Sequence, residues 1–146
     1  MRIYADGVWD LFHVGHIRLI QRLQQLEGGN NWVLIGVCSD EFCKGYKRET
    51  IISMEHRVEI LRSCKYVDEV IPACPAPITE QLIRDHNIDL VVHADDYNSE
   101  DIEKWYNVPL AMNKLHIIPY TSEISTTSII RACQNTQLIE IEQEST

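Results

Sequence analysis

The chain has 146 residues, 45% of them hydrophobic, and a formal net charge of −9 at pH 7. That length suits one domain with a sizeable core, and the acidic balance excludes broad electrostatic attraction to nucleic acid or anionic lipid, so an anionic ligand needs a local cluster of donors. Five cysteines, an odd number with no CxxC pair, read as reduced thiols of a cytoplasmic protein; no run approaches the roughly 18 apolar residues of a membrane span, and the opening "MRIYADG" lacks an apolar signal region.

Short β-branched or apolar runs alternate with segments of helical period. "RIYA" (2–5) reads as a strand, and residues 14–26 follow as a helix with Ile17, Leu19, Ile20, Leu23 and Leu26 on one stripe, ended by "GGN" at 28–30. Next come the strand "WVLIGVC" (32–38), a polar basic loop "CKGYKRET" (43–50), a helix over 54–65 and the strand "DEVI" (68–71). Beyond the Pro-rich link "PACPAP" (72–77), residues 77–86 read as a helix with Pro77 near its first turn and Ile78, Leu82 and Ile83 turned inward. The strand "DLVVHA" (89–94), a short helix over 100–106, the strand "LHIIPY" (115–120) and a helix over 125–134 complete the chain. The alternation predicts an α/β fold, a Rossmann-like parallel five-stranded sheet with helices on both faces.

In such sheets ligands bind at the carboxyl ends of the strands, beside helix N-termini whose free N–H groups favour anions. "DGVWDLFHVGH" (6–16) sits at such a junction, with His13 and His16 three apart around Gly15. One reading is a metal pair, completed by His93 or the Asp95–Asp96 pair. The other lets a ligand approach the backbone at Gly15 while both imidazoles donate to phosphate oxygens and stabilise charge in a phosphoryl transfer. "STTS" (125–128) is an N-cap cluster that starts a helix and leaves further N–H groups for phosphate.

"HVGH" after an apolar strand looks like the HxGH motif of the nucleotidyltransferase superfamily, and "YADGVWDLFHVGH" resembles the start of the cytidylyltransferases that make CDP-choline, CDP-ethanolamine and CDP-glycerol. "GVCSDE" (36–41), Lys47, "EHR" (55–57), "KYVDEVI" (65–71), "DHNID" (85–89), "HADD" (93–96) and "ISTT" (124–127) agree in order and spacing. The resemblance covers residues 2 to about 134. It implies transfer of CMP from CTP to a phosphorylated alcohol, with release of pyrophosphate, no covalent intermediate and a need for Mg²⁺. It also implies a catalytic domain over 1–134 with an acidic tail over 135–146, a cytoplasmic homodimer in which "KYVDEVI" packs the strand and the interface, and neither nucleic-acid binding nor stable membrane insertion. By the same resemblance His13, His16 and Lys47 act at the reacting phosphates. Asp6, Gly7, Val8, Asp10, Gly15, Arg57 and His93 hold the nucleotide together with Ser125, Thr126 and Thr127 at the last helix start. Asp10, Asp95, Asp96 and Tyr97 face the acceptor.

Two departures stand out. The segment before the last helix resembles R-T-x-G-I-S-T in the family but reads "YTSEIST" here, with Tyr120 for arginine and Glu123 for glycine. A tyrosine offers one neutral hydrogen bond where arginine offers several charge-assisted ones, so Lys114, Arg131 or another cation must compensate, or CTP binds weakly. Choline-type enzymes carry an aromatic residue where this chain has Ala76, leaving Tyr97, Trp105 or Tyr106 to supply an aromatic wall. With Asp95 and Asp96 providing negative charge for an ammonium, phosphocholine or phosphoethanolamine is the favoured acceptor. The alternatives are a glycerol-3-phosphate cytidylyltransferase, which "DHNID", "DDY" and "ISTT" also resemble, and a catalytically weakened nucleotide-binding regulatory domain.

Overall fold

The apolar runs become five parallel strands: β1 (Arg2–Gly7), β2 (Trp32–Val37), β3 (Glu69–Pro72), β4 (Leu90–Ala94) and β5 (Leu115–Ile118), in the spatial order β3-β2-β1-β4-β5. Among the described residues six α-helices connect and flank them: α1 (Val14–Gln25), α2 (Asp40–Tyr46), α3 (Met54–Arg62), α4 (Glu80–Asp85), α5 (Ser99–Ala111) and α6 (Thr126–Gln134). The computed structural model of the protein describes residues 1–95, 98–119 and 124–139.

The pleat sorts the core into two layers. Ile3 and Ala5 of β1 and Val33, Ile35 and Val37 of β2 pack with Ile20 and Leu23 of α1 and Val58 and Leu61 of α3. Their neighbours along the strands, Tyr4 and Leu34, turn the other way and meet Leu82 and Ile83 of α4 and Tyr106 of α5. Gly36 lies on this second face because a Cβ there would stand 2.0 Å from the Tyr4 hydroxyl. The sheet is thus covered on both sides, as the alternation predicts.

Three elements differ from the sequence reading. The "polar basic loop" is in part a helix: Ser39 accepts from the Phe42 amide as N-cap, Asp40 and Glu41 occupy the first turn, and Lys47 is the C-cap. Pro77 lies outside α4, which starts beyond the Thr79 N-cap. α5 runs on to Ala111 through Pro109, and its only residue off helical dihedrals is Tyr106 (φ −125°, ψ 16°). Proline has no N–H and crowds the carbonyl four residues back; that carbonyl, on Trp105, accepts instead from the Ile78 amide at 3.1 Å.

Chain order makes a topological switch between β1 and β4: the chain leaves β1 toward β2 and returns on the other side. Pairing across this junction covers only Ile3 with Leu90 and Tyr4 with Val91, whereas β1 and β2 pair along six residues. The strands part beyond Tyr4 and Val91, and a crevice opens at their carboxyl ends.

Candidate active site

The crevice is a cleft of about 530 Å³, within the range that holds a small ligand. Its floor is the "DGVWD" turn. Trp9 and Leu11 are both in the left-handed region (φ 59° and 50°), held there by the indole Nε1 donating to the Gly36 carbonyl at 3.0 Å and by Asp10. The Asp10 carboxylate accepts from the amides of Leu11, Ile51 and Ile52 and from Arg48 Nη1, at 2.8–3.1 Å. Burial pushes this carboxyl up, but the Ile51 and Ile52 amides and the Arg48 guanidinium outweigh it and hold it below the ordinary range. Asp10 lines the cleft, yet its oxygens serve to fix the segment carrying Lys47 and Arg48.

The two histidines cap the helix they start. His13 is the N-cap of α1, and its Nδ1 accepts from the Gly15 amide at 3.0 Å, while His16 Nδ1 accepts from the His13 amide at 3.2 Å. A backbone N–H needs a lone pair to bond to, so each Nδ1 is unprotonated and each neutral ring carries its hydrogen on Nε2. Burial lowers the His13 pKa, and burial together with the neighbouring His13 lowers that of His16 from 6.5 to about 3. Both rings are therefore neutral Nε2–H donors at pH 7. They stack at 3.8 Å between centroids, and Phe12 and Trp9 each stand 5.4 Å from His16. Gly15 has a purpose beyond the one expected of it: a Cβ there would lie 2.8 Å from His13 Cε1 and 3.1 Å from Ile124 Cγ2. The glycine makes room for the imidazole, and it also lines the cleft.

A second helix start meets the first. Ser125 and Ser128 cap α6 reciprocally, and Thr126 Oγ1 donates to the Asp10 carbonyl at 3.2 Å, pinning α6 on the floor turn. Ser125, Thr126 and Thr127 line the cleft. Neither α1 nor α6 has an acidic residue in its first turn, whereas α2, α3, α4 and α5 all do. The two positive helix ends that open on the cleft are left for an anion.

Of the remaining expected site residues, Asp6, Gly7, Val8, Lys47 and His93 also line the cleft. Arg57 does not, which corrects its assignment to the nucleotide: its side chain is fully buried and donates to the carbonyls of Ile52, Val8 and Cys38 and to Asp40 Oδ1. It ties the loop before α3 to the ends of β1 and β2. Asp95 stands just off the cleft wall: its amide extends the ladder to the Ile118 carbonyl and its side chain is exposed. Asp96 and Tyr97, and the departures at Tyr120 and Glu123, lie outside the described residues. Lys114 cannot compensate for the missing arginine, since its Nζ donates to the Ile88 carbonyl at the opposite end of the sheet, and Arg131 is absent from the wall. The metal reading of the histidine pair finds no group of three His, Cys, Asp or Glu side chains among the described residues.

The cleft also holds residues that sequence reasoning missed. Arg22, two turns along α1 from His16, reaches the Pro119 carbonyl at 2.8 Å and lines the wall; its spacing on the cleft-facing side of α1 was the available signal. Phe42 and Tyr46 of α2 stand edge-on to Trp105 at 5.5 and 5.4 Å and form an aromatic group on the same wall. The Trp105 Nε1 is buried with no hydrogen-bond partner among the described residues.

A parallel sheet with a switch-point cleft, two helix starts without first-turn acids and two neutral imidazole donors places the chain among the doubly wound α/β folds with a cleft suited to an anion. Residues 4–132 match the family described as Cytidylyltransferase-like, and the chain belongs to that family. Choline-phosphate cytidylyltransferase 2 of Arabidopsis thaliana is 43% identical over 93 residues, 64% of this chain and 30% of that protein. Glycerol-3-phosphate cytidylyltransferase of Bacillus subtilis is 34% identical over 128 residues, 88% of this chain and 93% of that protein. This chain spans about a third of the choline-phosphate relatives' length. The crystal structure of the lipopolysaccharide core biosynthesis protein from Thermoplasma volcanium superposes with a TM-score of 0.62 at 17% identity, over 83% of this chain and 96% of that one, a likeness of fold. Among the described residues no helix is long and apolar enough to cross a membrane.

Proposed function

We propose that this chain is a cytidylyltransferase that joins CMP from CTP to a phosphorylated alcohol, with phosphocholine or phosphoethanolamine as the favoured acceptor. A phosphate oxygen of the acceptor attacks the α-phosphorus of CTP, the bond from that phosphorus to the β-phosphate oxygen breaks, and pyrophosphate leaves with the bonding electrons. The protein's part is positioning and charge stabilisation. The observation that carries the reading is the convergence of the α1 and α6 N-termini on one cleft, with His13 and His16 fixed as Nε2–H donors. Lys47, Arg48 and Arg22 add positive charge to its walls, and Arg22 is our candidate for the cation that offsets the lost arginine.

The aromatic group of Phe42, Tyr46 and Trp105 supports an aminoalcohol, because a ring face attracts a substituted ammonium. A second reading, glycerol 3-phosphate as acceptor, rests on the near full-length match to the Bacillus subtilis enzyme. The described residues offer no cage for Mg²⁺, which suits a cation carried on the phosphate oxygens of the nucleotide and on water. Bound there, it would neutralise triphosphate charge. A homodimer through the open edge of β3, and a cytoplasmic setting for five free thiols, complete the proposal.

The test is pyrophosphate release from CTP and Mg²⁺ with phosphocholine, phosphoethanolamine and glycerol 3-phosphate supplied in parallel. Release with an aminoalcohol phosphate is expected; release with glycerol 3-phosphate alone would select the second reading. CTP binding without release from any of them would overturn the enzymatic one.

A further inference from the structure

Beyond Tyr4 and Val91, the pleat sends Asp6 of β1 and His93 of β4 to the same face of the sheet, across the switch-point crevice. Tyr106 of α5 closes that gap. Its hydroxyl donates to Asp6 Oδ1 at 2.7 Å and meets His93 Nδ1 at 2.9 Å, with the tyrosine and imidazole rings 4.6 Å apart. The arrangement depends on the local break in α5: Tyr106 is the residue off helical dihedrals, three before Pro109, and it is 3% exposed. A hydroxyl 100 residues away in sequence is thereby set between two groups that line the cleft.

A tyrosine has one hydroxyl hydrogen, and this fixes what its neighbours can do. When Asp6 is ionised the hydrogen goes to the carboxylate, and His93 Nδ1 must then be the donor to the tyrosine oxygen; a neutral His93 is the Nδ1–H tautomer. When Asp6 holds a proton it can donate to the tyrosine oxygen, the tyrosine hydrogen turns to Nδ1, and His93 carries its hydrogen on Nε2. One proton on the unit therefore decides the form of His93.

We propose that Tyr106 is a positioning residue whose hydroxyl joins Asp6 and His93 into a single hydrogen-bonded unit, in which the charge of Asp6 selects the tautomer of His93 at the cleft. Burial pushes the Asp6 carboxyl up, against the pull of the Tyr106 hydroxyl and His93. Tyr4 on β1 and Cys38 beyond β2 are the other titratable groups facing Asp6. Across the cleft stand the neutral His13 and His16, with Lys47, Arg48 and Arg22. His93 Nε2 is buried, so the hydrogen it carries in the Nε2–H form is a donor set behind the cleft wall. The tautomer link does not depend on the cytidylyltransferase reading.

The test is a pH series of nitrogen-15 histidine correlation spectra on the whole chain, with His93 assigned by its loss in His93→Gln and the Asp6 carboxyl followed in parallel. The expected result is an Nδ1–H tautomer of His93 while Asp6 is ionised, and appearance of Nε2–H in step with Asp6 protonation. Tyr106→Phe keeps the ring and should lower the ratio of Nδ1–H to Nε2–H by about fivefold or more, the worth of one net hydrogen bond, and uncouple His93 from Asp6. If that variant fails to fold, the parent series decides alone. An Nε2–H tautomer of His93 while Asp6 is ionised, or a Tyr106→Phe spectrum identical to the parent's, would overturn the proposal. Turnover is read separately, as kcat and KM for CTP and acceptor. Coupling without turnover of any acceptor would sink the cytidylyltransferase reading and leave this inference standing.

Discussion

The six helices fall into two groups by how their N-termini are finished. α2, α3, α4 and α5 each carry one or two acidic residues in the first turn, set against the positive end of the helix. α1 and α6 carry none, and both open on the cleft. In a chain with 22 acidic and 13 basic residues, the first turns of these two helices are kept free of acids while the surface stays acidic, and the carboxylate beside them, Asp10, is taken up by the amides of Leu11, Ile51 and Ile52 and by Arg48. The caps set α1 apart from the rest. Ser39, Ser53, Thr79 and Asn98 cap the first group, and Ser125 caps α6, with short polar side chains, whereas α1 is capped by the His13 imidazole, whose opposite nitrogen is a donor.

This contrast can be broken most severely at His13. Asparagine is a good N-cap, so His13→Asn keeps the acceptor for the Gly15 amide but removes the Nε2–H. We expect turnover to fall by about 10²-fold or more with the urea midpoint nearly unchanged, while His13→Ala loses turnover and about 1 kcal/mol of stability together. Next in size is Thr127→Glu, which gives α6 the first-turn acid of the other helices. The KM for CTP should rise about tenfold, while thermal unfolding shows α6 stabilised by about 0.3–1 kcal/mol; a loss of stability with unchanged KM would contradict the division. Arg22→Gln should raise the KM for CTP several-fold, about the worth of one charge-assisted hydrogen bond at an open wall, with kcat little changed. The matching control, Glu55→Gln at the start of α3, should cost a few tenths of a kcal/mol and leave both kinetic constants alone.

Titration sharpens the same comparison. The folded-state pKa of His16 lies below its ordinary 6.5, at about 3, so below 6.5 the unfolded chain binds a proton that the folded one refuses. Its contribution to stability is complete above about pH 6.5 and is lost as pH falls toward about 3, with a slope of up to ~1.4 kcal/mol per pH unit. Asp10, held below the ordinary carboxylate range, adds its own loss only at still more acid pH, as it falls through the folded value. Urea midpoints at about pH 5 and about pH 7 should draw closer in His16→Gln, which keeps an acceptor for the His13 amide but does not titrate, with His13, also lowered by burial, leaving a smaller difference.

Much of this was legible in the chain. The five strands could be read because each is a short apolar run bounded by turns, and both faces of a parallel sheet are buried. "HVGH" was legible because a glycine between two histidines at a strand-to-helix junction has few packing reasons, although its use, room for the His13 ring, needed coordinates. α2 was missed although its Ser39 cap and acidic first turn were in view, because Gly45 and the lysines around it look like loop. Arg57 was misassigned because three of its four partners are backbone carbonyls, which leave no trace in residue type. Asp95 follows two cleft-lining residues of β4 in sequence, yet stands just past the end of the strand and off the wall. Tyr106 could be placed near the sheet but not between Asp6 and His93, since its direction is set by the break before Pro109 and by a contact 100 residues distant.

A nucleotide received at the starts of α1 and α6, and not at the acid-finished ones, would show in amide correlation spectra of the chain titrated with CTP. The amides of His16, Thr126 and Thr127 should shift on binding, while those of Glu55 and Gln81 at the starts of α3 and α4 stay where they are. Saturable binding that leaves the α1 and α6 amides unmoved would contradict it.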